Sequence, residues 1–135
     1  MKLKSITIAN LFLVAFISSY FIIPSDELEE SKKRGKELYI TNCISCHMEN
    51  GEGIPAVFPP LAKSDYLMED TKRAARQILN GAAGEMVVNG TTYNGVMSEF
   101  DLTDQEVADI LNYITNNWGN EGGYVKENLV KEARN

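Results

Sequence analysis

The chain has 135 residues, 44% hydrophobic and 24% charged, which fits one small globular domain and argues against general disorder. Its formal net charge is −6, but residues 1–25 hold Lys2 and Lys4 and no acid, so eleven Lys and Arg stand against nineteen Asp and Glu in the remainder. A surface this acidic repels nucleic-acid phosphates and anionic lipid headgroups, leaving solubility or a basic protein partner as its use.

Residues 1–25 read as an export segment. A short basic start precedes an apolar run from Ile6 to Ile23, and acidic, polar sequence begins after Pro24. No A-x-A cleavage site marks the end, and the run is at the lower limit of a bilayer span. It is therefore either a cleaved signal or a retained membrane anchor through residues 6–23. In both cases the lysines stay inside, and the domain is periplasmic or on the outer face of the cytoplasmic membrane. Residues 26–119 form the expected domain, and residues 120–135 a glycine-led, charged tail.

The first helix is expected over Asp26–Asn42, with acids crowding its start and Lys32, Lys33, Arg34 and Lys36 following. Gly35 inside it marks a close helix crossing. Residues 51–62, rich in glycine and proline, read as an irregular loop. A second helix starts at Asp70 as N-cap and stops at Gly81. Val87-Val88, Asn89-Gly90 and Thr91-Thr92 predict a hairpin with a type I′ turn. The last clear helix begins at the capping box of Thr103 and Glu106 and carries Val107, Ile110, Leu111, Ile114 and Trp118 at helical spacing up to Gly119. A short surface helix fits Glu127–Ala133.

Both cysteines and the single histidine of the chain lie in "CISCH", residues 43–47. A structural zinc site wants four Cys or His ligands and finds three. A thioredoxin-like pair belongs at a strand-to-helix junction, whereas a charged helix precedes this one. A disulfide across three residues closes a small loop, adds little stability and leaves His47 idle. On one helical turn, however, Cys43 and Cys46 share a face with His47. The C-x-x-C-H pattern is the haem-attachment signature, with two thioethers to one porphyrin and the imidazole on iron. One covalent haem c is the cofactor expected.

A second axial ligand must then come from methionine, because histidine is exhausted and a thioether suits iron and raises its potential. Met48 adjoins the proximal histidine and cannot reach the other haem face. Met68 fits core filling. Met86 and Met97 flank the hairpin and are the rivals. Met97, between Gly95 and a capped helix, is favoured because a rigid helix anchors its loop.

With these residues the chain resembles a class I cytochrome c over roughly residues 31–119. The resemblance implies an all-α fold of three to five helices around one haem, with a small β-hairpin before the axial Met. It implies that Gly35 and Tyr39 of the first helix cross the last helix at Ile110 and Tyr113. It also implies that the carbonyl of Pro59, twelve residues after His47, accepts the imidazole N–H, with apolar Leu61 following. The segment from Val88 to Asn120 resembles the branch with a hairpin before the methionine, which includes free carriers and cytochrome subunits of respiratory dehydrogenases and reductases. In that branch a proline follows the methionine; here Ser98 does, which implies a looser loop. Trp118, Phe58, Phe100 and Tyr93 are read as core or haem-wall residues. The function so implied is one-electron transfer in a respiratory chain, with redox-protein donor and acceptor and no catalysis. The alternatives are a subunit of a membrane dehydrogenase or oxidase complex, and a haem sensor or enzyme with a displaceable Met97.

Overall fold

The computed structural model describes residues 25–134; the expected export segment lies, except for Ser25, outside the described residues. Six helices and one hairpin follow in chain order: α1 Ser25–Asn42, α2 Ile44–His47, α3 Asp65–Glu69, α4 Thr71–Asn80, β1 Met86–Val88, β2 Thr91–Tyr93, α5 Asp104–Ile114 and α6 Glu127–Arg134. Among the described residues no helix is long and apolar enough to cross a membrane.

The frame is the crossing of α1 over α5. A Cβ placed on Gly35 would lie 1.9 Å from the backbone oxygen of Asp109 and 2.9 Å from Cβ of Tyr113, so only hydrogen fits between the two helices. One turn on, Tyr39 is 1% exposed and its ring centroid lies 5.4 Å from that of Tyr113 and 5.1 Å from that of Trp118. Beside this contact Asp109, also 1% exposed, accepts two bonds of 2.7 Å from the Arg34 guanidinium, besides Ser31 Oγ–H and Gln105 Nε2–H. A carboxylate can be buried there because its oxygens are fully hydrogen-bonded.

Local chemistry starts and stops the other elements. Ser64 caps α3 by accepting from Leu67 N–H, and Asp70 caps α4 by accepting from Arg73 N–H at 2.8 Å. Both arms of the Thr103–Glu106 capping box are formed on α5. The hairpin pairs Met86 with Tyr93 and Val88 with Thr91, and Asn89 and Gly90 sit at φ of 50° and 75°, as a type I′ turn requires.

Two elements depart from the sequence reading. The α3 turn was not expected. The α5 helix stops at Ile114, four residues short of Trp118, because side chains take its terminal carbonyls. Thr115 Oγ1 donates to Leu111 O, Asn116 Nδ2 to Asn112 O and Asn117 Nδ2 to Tyr113 O, at 2.7–2.9 Å. These local bonds compete with continued helix, and Trp118 follows in a turn at φ 53°.

After Gly119 the chain folds back over the domain. Asn112 donates to Val125 O at 2.8 Å and accepts from Val125 N–H at 2.7 Å, pinning the segment that leads into α6. The α6 helix then packs on α4 and α5 with Val130 fully buried and Ala133 nearly so.

Candidate functional site

The α1–α5 crossing, α2, α4, the hairpin and the loop before α5 surround one cavity of about 410 Å³, within the range of sites that enclose small molecules (~300–1,000 Å³). Among the described residues no Asp, Glu, Lys or Arg lines it; the wall is apolar with a few hydroxyl and amide groups. It opens at the surface beside Val57 and Val96, which line it and remain 50% and 79% exposed.

All five residues singled out from the sequence reach this region. Cys43, Cys46 and His47 line the cavity from α2 and the residue before it; Pro59 lines it from the 51–62 loop and Met97 from the loop before α5. The one-turn helix forms because the backbone N–H groups of Cys46 and His47 both bond the carbonyl of Cys43, which brings positions i, i+3 and i+4 to one side. The two thiols are not joined as a disulfide. Nor do they and the imidazole gather around one point as ion ligands would: among the described residues no three His, Cys, Asp or Glu side chains are grouped to hold a metal ion. Burial and neighbouring Cys46 push the Cys43 thiol up to about 12, so it stays protonated and neutral in the cavity wall.

His47 Nδ1 lies 3.0 Å from Pro59 O. A carbonyl only accepts, so Nδ1 carries the proton and Nε2 keeps a free lone pair. Burial lowers the imidazole pKa, partly opposed by the Pro59 bond, which favours this neutral form. The carbonyl is held in place by Gly53. At φ 63°, its missing Cβ would stand 2.3 Å from Phe58 O and 2.7 Å from Pro59 O.

Met97 is fixed through its backbone. Its N–H donates to Ala82 O at 2.8 Å and its carbonyl accepts from Ala82 N–H at 3.0 Å. Phe100 N–H bonds Ile78 O, so the loop is tied to the C-terminal end of α4. The bridge needs Gly81 beside it, where a Cβ would meet Met97 O at 2.6 Å. Ser98 therefore leaves a loop that backbone pairing holds without proline. Met86 lines the same cavity from β1, so lining alone does not separate the two methionines, though Met97 also packs against the buried core. Met48, at φ 63° beside the histidine, and Met68, packed on the core, do not line it.

The donor set and the wall fit a flat, apolar macrocycle with two vinyl groups and a central iron. Two separate thiols, a lone pair on Nε2 and a thioether face an uncharged cavity. Phe58, Phe100 and Tyr93 are wall residues, and Trp118 packs against the core off the cavity, its ring tilted on Tyr39 and edge-on to Tyr113, all within the sequence reading. Tyr66 and Gln77 were not singled out from the sequence; both line the cavity, and Gln77 Nε2 donates to Tyr66 Oη at 3.1 Å. No motif marks them, because the angle between α3 and α4 at Asp70, which turns both side chains to the cavity, is set only on folding.

Residues 32–118 match the family model for cytochrome c. The chain belongs to the cytochrome c family. It is 42% identical over 90 residues to cytochrome c-552 of Thermus thermophilus, covering 63% of this chain and 68% of that protein. A second cytochrome c-552 from the same species matches at the same identity over 60% of its length. The cytochrome c subunit of an alcohol dehydrogenase (quinone) from Gluconobacter oxydans is 31% identical over 74% of this chain but only 22% of that subunit. As a cytochrome c the protein binds haem c covalently and transfers electrons between redox partners, which accounts for an apolar cavity with two thiols on its wall.

Proposed function

We propose that this cytochrome c is an exported, monohaem one-electron carrier whose haem is held by Cys43 and Cys46 through thioethers, with His47 Nε2 and Met97 Sδ as the axial ligands. The observation that carries the reading is the convergence of those four side chains on one uncharged cavity. When bound, haem c supplies the reversible one-electron couple of its iron. The residues of the chain determine how that couple behaves. The thiols fix the cofactor edge against α2. The Pro59 carbonyl orients the imidazole and increases its basicity. The thioether and the apolar wall favour the reduced state and a positive potential. Two protein ligands leave no open position for substrate, which supports a carrier over a catalyst. Val57 and Val96 offer an apolar rim for brief contact with a donor or acceptor. Residues 1–25 route the domain to the periplasmic side, with attachment through residues 6–23 where the segment is retained.

The ferric sulfur-to-iron charge-transfer band tests the ligand set. Met97→Ala is expected to abolish it and Met86→Leu to keep it; the opposite pattern overturns the assignment. Similarity to the Gluconobacter subunit favours a second reading, a cytochrome subunit within a membrane dehydrogenase complex. Membrane fractionation of the native protein with identification of co-purifying chains separates the two, a stable stoichiometric partner counting against a free carrier.

A further inference from the structure

The loop that carries Met97 is tied down at three places, and the last belongs to a helix outside the family-matched residues. Ala82 pairs with Met97 itself, Ile78 holds Phe100, and at the far end Arg134 of α6 reaches Leu102 and Asp104. Its Nη2–H donates to Leu102 O at 2.9 Å and its Nε–H to Asp104 Oδ1 at 2.8 Å. Leu102 is where the loop ends, and Asp104 is the first residue of α5, immediately after the Thr103 cap. One planar guanidinium thus bridges the junction of loop and helix, in a geometry an ammonium cannot reproduce. The helix delivering it is itself anchored, with Val130 at 0% and Ala133 at 4% exposure and its entry held by the Asn112–Val125 pair. Ser98 makes this clamp consequential: position 98 contributes no ring rigidity, so the loop's stiffness rests on its ties.

We propose that Arg134 is a positioning residue for the axial methionine: α6 clamps the end of the 97–102 loop and so holds Met97 on the iron against competing ligands. The inference rests on Met97 being the axial ligand. Without the clamp the loop end moves more freely, the thioether leaves the iron more often, and an outside ligand competes better.

The test is imidazole binding to the ferric holoprotein, followed by loss of the charge-transfer band. Arg134→Gln should raise imidazole affinity about five- to tenfold, the scale of one partly exposed charge-assisted hydrogen bond. Arg134→Lys should fall between, since it keeps the charge and loses the fork. Lys72→Gln breaks another α6 tether, a 3.3 Å pair with Glu132, away from the loop, and should leave affinity unchanged. In a Met97→Ala background, Arg134→Gln should have no effect, because there is no thioether left to displace. An unchanged affinity in Arg134→Gln, an equal rise in Lys72→Gln, or an equal rise in the Met97→Ala background overturns the clamp. Survival of the band in Met97→Ala instead overturns the ligand assignment beneath it.

Discussion

His47 carries its proton on Nδ1 because the nearest partner there is a carbonyl 3.0 Å away, which has no proton to give. That carbonyl is positioned by an absence: Gly53 sits against Phe58 O and Pro59 O in space a methyl group would need. Gly53→Ala therefore acts on the histidine at a distance. Its φ of 63° and the 2.3 Å approach to Phe58 O predict a loss of about 1–3 kcal/mol in stability. As Pro59 O shifts away, the imidazole becomes a poorer donor to ferric iron, so the midpoint potential should rise. Thermal unfolding together with potentiometry checks both; a destabilised variant with unchanged potential would show that the carbonyl stays on His47. Serine for proline at position 98 is a matter of the same scale. The resemblance implied a looser loop, and the Ala82–Met97 pair supplies the restraint instead.

At the scale of elements, the α1–α5 crossing sets the spacing on which the cavity depends. Ile110 and Ile114 of α5 line the cavity, while Asp109 and Tyr113, each one position earlier, meet α1 at Gly35. Gly35→Ala would favour helix by about 1 kcal/mol as a local propensity. It also drives a methyl group into the Asp109 carbonyl, 1.9 Å from the built Cβ, where backbone cannot yield cheaply. Overpacking wins, and we expect a net loss of about 1–3 kcal/mol, read as a lower thermal midpoint of the holoprotein. An unchanged midpoint would mean that the helices slide apart at no cost. The early end of α5 belongs here too. Thr115, Asn116 and Asn117 each bond a carbonyl four residues back, trading further helix for a turn that sets Trp118 against Tyr39.

For the whole molecule, the excess of acid makes the pH response depend on which carboxylates folding uses. Asp70 is held below its ordinary 3.8 chiefly by the Arg73 backbone N–H, and Glu106 below its ordinary 4.5 chiefly by the Thr103 backbone N–H. Both pKa values are lower folded than unfolded, so below about pH 4.5 the unfolded chain binds more protons and stability rises with pH. Their contribution is complete above their ordinary values and lost as pH falls through the folded ones. Asp70→Asn with Glu106→Gln should therefore unfold more easily than the parent at pH 6, with the gap closing towards pH 2.5. Urea titrations at a series of pH values measure it; a gap that does not narrow would assign the effect to packing.

Much of this protein follows from short-range chemistry, and that part was legible in the chain. The C-x-x-C-H turn, the Asp70 and Thr103 caps and the Asn89-Gly90 turn each depend on residues within four positions of one another, so spacing alone specifies them. The Pro59 carbonyl was named through family resemblance and not from spacing; it lies 3.0 Å from His47 Nδ1. What joins distant parts was not legible. Met86 and Met97 both reach the cavity, and only folding pairs Met97 with Ala82. The chain after Gly119 reads as a polar tail because its apolar residues are few, yet Val130 and Ala133 find a ready surface on α4 and α5. Arg134 reaches Leu102, thirty-two residues back, only once that helix has docked. Periodicity reports which face of an element is apolar; which surface receives that face is decided when the elements pack.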